Sequence, residues 1–126
     1  MAEHENAQRL RAGYDAFAKM DLEKMNEFIP EGAVWHVTGH SALSGDYTGR
    51  DAVYGYFGKL MDLSGGTFKA ELVHVLADDE YSTALQRSTG TINGRDVSTL
   101  DVLVDRVEGG QAVETWVYFE DDSVMG

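Results

Sequence analysis

Apolar residues recur at helical spacing through the first half of the chain and at alternate positions through the second. Ala7, Leu10, Tyr14, Phe17 and Ala18 form one stripe, which predicts a helix over residues 5–20. Asp21 is an N-cap for a shorter helix carrying Leu22, Met25, Phe28 and Ile29, and the single proline, Pro30, closes it. Val53, Phe57, Leu60 and Met61 give a third helix over 50–63, with Thr48 and Asp51 at capping-box spacing and Ser64-Gly65-Gly66 at its end. Between the second and third helices lie a short β run, 33–38, and a loop punctuated by Gly39, Gly45 and Gly49.

The second half reads as strands. Over 67–76, Phe68, Ala70, Leu72, His74 and Leu76 fall on one face. A turn at 77–80 leads to a strand over 81–92, and Asn93-Gly94 is a hairpin signal before the strand over 95–107. A turn follows, then a strand over 112–119 and an acidic tail, 120–126, expected to fray. Helices first and strands after mean an α+β fold, with helices on one face of a mainly antiparallel sheet. A two-residue loop at Asn93-Gly94 pairs Gln86 with Asp101, Ala84 with Leu103 and Ser88 with Thr99. On the opposite face it pairs Leu85 with Val102, Arg87 with Leu100 and Thr83 with Val104. Neither face reads as a solvent face, so a second subunit is expected to cover the one that the helices leave open.

Composition narrows the function. The 126 residues make one domain, 1–126. A formal net charge of −12 argues against nucleic acid and anionic membranes as partners. With no cysteine there are no disulfides, thiolate metal sites or cysteine nucleophile. No apolar leader or bilayer-length stretch is present, so a cytoplasmic location is expected. His4, His36, His40 and His74 lack metal-ligand spacing, and no dinucleotide, P-loop or nucleophile-elbow motif occurs; no metal or cofactor is expected.

The order of elements resembles the nuclear-transport-factor-2-like superfamily, within it the SnoaL-like polyketide cyclase and ketosteroid isomerase group. The resemblance rests on YDAFAKMDLEKM, AVWHVTG, SGDYTGRDAVYGYF, VLADDEY and VEGGQAVETWVYFED, and spans nearly the whole chain. It implies a curved, mainly antiparallel sheet wrapped around N-terminal helices, with a conical cavity, as in cystatin-like α+β barrels. It also implies acid–base chemistry, without a cofactor, on a hydrophobic cyclic or polyketide-like molecule. Isomerase, cyclase, dehydratase and hydrolase reactions all occur on this fold, as does non-catalytic binding or dimerisation.

In AVWHVTG, His36 falls on the position of the isomerases' general base, and the acid of their oxyanion hole is matched by Asp101 or, in the other strand register, by Leu103. Tyr14 lies within one residue of the oxyanion-hole tyrosine, and Thr38 stands where the family commonly has proline. His36 and Asp101 are the catalytic candidates. The candidate substrate contacts are Tyr14, Trp35, His40, Phe57, Met61, His74, Leu103 and Phe119. The expected assembly is a homodimer and the expected ligand a small hydrophobic molecule.

Overall fold

The computed structural model describes residues 3–126. The elements run α1 (Glu5–Lys19), α2 (Leu22–Phe28), β1 (Val34–Val37), β2 (Gly45–Thr48), α3 (Arg50–Leu63), β3 (Lys69–Ala77), β4 (Tyr81–Ile92), β5 (Arg95–Glu108) and β6 (Gln111–Tyr118). A 3₁₀ turn, Asp122–Met125, follows. Met20 adopts the left-handed conformation that ends α1, and Asp21 caps α2 by accepting the Lys24 N–H at 3.2 Å. The expected capping box at α3 does not form: Thr48 belongs to β2, and Gly49 at φ 93° is the N-cap, with no side-chain bond.

One curved, unclosed sheet has the order β2-β1-β6-β5-β4-β3. Its pairs are antiparallel except β1 with β6, which run parallel, so the sheet is mixed. β2 lies in the stretch read as loop; four residues with a glycine and no buried side chain carry no alternation to find. The β4–β5 register matches the sequence pairing at all six positions named above. Asn93 and Gly94 take φ of 54° and 75°, the positive values that a tight hairpin turn needs.

The helices cover one face of this sheet, the inner one. Val97, Thr99, Asp101, Leu103, Asp105 and Val107 of β5 all point inward and are buried, while Leu100, Val102, Val104 and Arg106 point outward. The core joins these strands to α1 and α3 through Leu10, Trp35, Val53, Tyr56, Phe57 and Val117.

Two bulges change which residues reach that core. Register shifts between Leu72 and His74, so Val73 is extra in β3. Beyond it the alternation is reversed: Val75 is buried, and His74 and Leu76 are exposed, contrary to the expected face. A second shift, between Arg106 and Val107 of β5, sets Val113 apart in β6 and turns Glu114 outward.

The tail is docked, not frayed. Met125 is buried, Asp122 accepts the His40 N–H at 2.5 Å, and Ala42 donates to the Gly126 carbonyl at 3.1 Å. The approach is close enough that a Cβ on Gly39, itself at φ +91°, would collide with the Asp122 carboxylate. Among the described residues no helix is long and apolar enough to cross a membrane.

Candidate active site

A cavity of about 80 Å³ lies between the inner sheet face and the helices. Phe17 of α1, Met25 and Phe28 of α2, Tyr56 and Phe57 of α3 and Leu103 of β5 make its walls apolar. Phe57 is the hub of the aromatic packing, edge-on to Phe17 at 5.1 Å and to Trp35 at 5.2 Å. Tyr14, Gln86 and Asp105 supply polarity.

Asp105 is 3% exposed. Its cross-strand partners are Ser82 on β4 and Thr115 on β6, and both point inward. Its carboxyl accepts the Thr115 hydroxyl at 2.5 Å and the Ser82 hydroxyl at 3.3 Å. Burial penalises the charged form more than these two bonds favour it, and the pKa rises to about 6. A carboxyl in an apolar cavity that gains and loses a proton near neutrality can serve as a general acid or base.

A second polar chain starts at Tyr14. Its hydroxyl donates to Gln86 Oε1 at 2.5 Å, and Gln86 Nε2 donates to Ser88 Oγ at 2.8 Å. The Ser88 hydroxyl then donates to Asp101 Oδ2, while Asp101 Oδ1 accepts the Glu120 N–H at 3.1 Å. Burial, and after it the nearby Asp105 and Asp101, hold the Tyr14 phenol well above its ordinary pKa, so it stays protonated. The Trp35 indole N–H is buried without an acceptor among the described residues.

The sequence candidates divide sharply. Tyr14, Trp35, Phe57, Leu103 and Phe119 line the cavity. Asp101 faces inward and is 1% exposed, yet it sits behind the wall and reaches it through Ser88 and Gln86. Met61 packs against the core outside the cavity wall, and His40 and His74 are exposed.

His36 needs correction, for the structure does not bring it together with Asp101. Neighbours on a strand face opposite ways, and Trp35 takes the inward position, which leaves His36 on the outer face. There His36 Nδ1 meets Asp46 at 2.8 Å, Nε2 meets Glu114 at 2.6 Å, and the ring stacks on Trp116 at 5.5 Å. The hydrogen bond to Asp46, then that to Glu114, raises its pKa, and Glu114 is lowered chiefly by His36. Arg106 adds a 3.3 Å contact to Glu114. Among the described residues no three histidine or carboxylate side chains converge as a metal site requires.

The polar site residues that sequence reasoning missed are Asp105 and Gln86. The period-2 pattern that puts Asp101 and Leu103 on one face puts Asp105 there as well, and Gln86 opposite Asp101 was already paired.

Comparison with known proteins adds three structures and a family. The SnoaL-like domain model matches residues 10–115. Bal32a, from a soil-derived mobile gene cassette, is 33% identical, with a TM-score of 0.89 over 96% of this chain and 93% of that one. A Xanthomonas campestris protein with a cystatin-like fold is 24% identical, with a TM-score of 0.84 over 95% and 94%. IdmH of Streptomyces antibioticus, described as a candidate polyketide cyclase, is 21% identical, with a TM-score of 0.78 over 97% and 96%. No curated protein matches the sequence.

Proposed function

The chain belongs to the SnoaL-like domain family, and from that premise we propose that it is a small-molecule enzyme of the cyclase or isomerase type. Its substrate is a hydrophobic cyclic or polyketide-like molecule held against Phe57 and Leu103, and Asp105 moves the proton. The observation that carries this reading is the position of Asp105, a buried carboxyl on the cavity wall with a pKa of about 6. The resemblance to IdmH supports the substrate class by analogy.

At about 80 Å³ the cavity is smaller than the ~150 Å³ apolar cavity that takes benzene. Binding therefore moves wall side chains such as Phe17 and Phe28. A panel of polyketide-like hydroxyketones and flat aromatic compounds, scored by thermal stabilisation and then by turnover, tests the proposal. Stabilisation with turnover is the expected result. Stabilisation without turnover favours the alternative, a non-catalytic ligand-binding domain. That alternative draws on one feature: Asp105 is hydrogen-bonded to hydroxyls only, with no basic partner beside it among the described residues. No stabilisation by any compound would mean that the protein's own side chains fill the space.

The same proposal includes a homodimer through the outer sheet face. Leu85, Leu100, Val102, Val104 and Trp116 are only half-buried there, and Tyr118 is 46% exposed. Such an interface buries about 1,200 Å² or more. Sedimentation at micromolar concentration checks it, and a monomer of 13.9 kDa would exclude it.

A further inference from the structure

Resting on the reading of the cavity as a ligand site, we propose that Asp101 is a positioning residue that fixes the direction of the hydrogen bonds running to Tyr14. The cavity then offers the Tyr14 oxygen as an acceptor and selects a ligand with a hydroxyl group, a phenol or an enol, over one with only a carbonyl.

The direction follows from counting protons. Ser88 has one hydroxyl proton, and it goes to Asp101 Oδ2. Asp101 Oδ1 accepts the Glu120 N–H at 3.1 Å, and Oδ2 accepts the Ser88 hydroxyl. Ser88 is left with lone pairs for Gln86, and Gln86 must turn its NH₂ toward it, at 2.8 Å. That leaves Gln86 Oε1 for Tyr14, which must donate, at 2.5 Å. Three bonds run one way and end on Asp101 as the acceptor. With the amide of Gln86 reversed, Tyr14 would accept from Nε2, and its own O–H would be free for a ligand carbonyl. Gln86 is 5% exposed, Ser88 0% and Asp101 1%, so solvent does not compete for these bonds.

The raised pKa of Tyr14 fits this arrangement, since its proton is retained and already engaged. A ligand hydroxyl can donate to the Tyr14 lone pairs; a ligand carbonyl meets an oxygen with no free proton. A purely structural chain would be satisfied by either direction.

The test has two arms. In the unliganded protein, NMR should show contacts from the Gln86 side-chain amide protons to the Ser88 β-protons and not to the Tyr14 ring. Titration with phenol and benzaldehyde should show phenol binding about fivefold tighter, the scale of one net hydrogen bond. In Asp101→Asn, Oδ1 keeps the Glu120 N–H and the new amide donates to Ser88. The Gln86 amide should then face Tyr14, and the phenol-to-benzaldehyde ranking should invert. Ser88→Ala cuts the chain without changing charge; both probes should bind with no preference.

A Gln86 amide directed at Tyr14 in the wild-type protein would overturn the proposal, as would an unchanged ranking in Asp101→Asn or Ser88→Ala. If neither probe binds any form, the ligand-site reading falls and the selectivity with it, while the NMR arm still judges the bond direction.

Discussion

On the inner face of the sheet, Asp105 stands among aromatic and aliphatic side chains with two hydroxyls for company. On the outer face, His36 lies between Asp46 and Glu114, with Arg106 beyond. Both groups have raised pKa values, for different reasons: burial lifts Asp105, and paired carboxylates lift His36. Desolvation leaves a group short of partners, and a substrate can become one. Pairing uses up both nitrogens of an imidazole. On the proposed reading, this difference makes Asp105 rather than His36 the proton-transfer group, although histidine is the commoner general base.

The sharpest way to break this comparison is kinetic. Once a substrate is found, Asp105→Asn should lower kcat by about 10²–10⁴-fold, the usual contribution of positioned acid–base catalysis. His36→Gln should leave kcat unchanged. The opposite pattern would return the chemistry to the outer face.

The next effect is on stability. The folded pKa of Asp105 lies above its unfolded value, so ionising it penalises the native state. The penalty is absent below pH 3.8, grows up to about pH 6 and is complete above that. Asp105→Asn should therefore stabilise the protein at pH 8 by on the order of 3 kcal/mol. The gain should vanish toward pH 4, and urea unfolding at the two pH values measures it.

For the outer face, Val102→Asp should weaken self-association at least tenfold, about 1.4 kcal/mol, in sedimentation. It should leave ligand stabilisation intact, because Val102 points away from the cavity.

The smallest effect belongs to His36. Its folded pKa is raised, so the pairing contributes fully below its unfolded value of 6.5 and is lost as pH rises through the folded one. The pair is partly exposed, so His36→Gln should cost no more than about 1 kcal/mol at pH 5.5 and nothing at pH 9.

Most of the fold could be read in the sequence because its signals are local. The α1 stripe, the Asp21 cap and the Asn93-Gly94 turn each need only a few neighbouring residues, and the hairpin register follows from the turn. The site was harder. Trp35 and His36 were both assigned to the cavity, which strand geometry forbids for adjacent residues; knowing that Trp35 takes the inner side requires the packing of α3. Strict alternation also fails at a bulge. One extra residue at Val73 sent His74 outward, and one at Val113 set Glu114 beside His36. Neither bulge has a glycine or proline to announce it. Asp105 and Gln86 were within reach, the one two residues beyond a leucine already placed on the inner face, the other opposite Asp101.

The bulge at Val73 also bears on how the chain behaves in a crowded solution. β3 is an edge strand of an unclosed sheet, and Leu72-Val73-His74-Val75-Leu76 is its apolar run, with Val73 50% and Leu76 65% exposed. A flat strand of this composition would template the addition of another chain, the first step toward aggregation. The extra residue interrupts the even spacing of free N–H and C=O groups along that edge, and charged Lys69 and Glu71 precede it. The distortion that turns His74 away from the core thus also denies a second copy a straight edge to grow from.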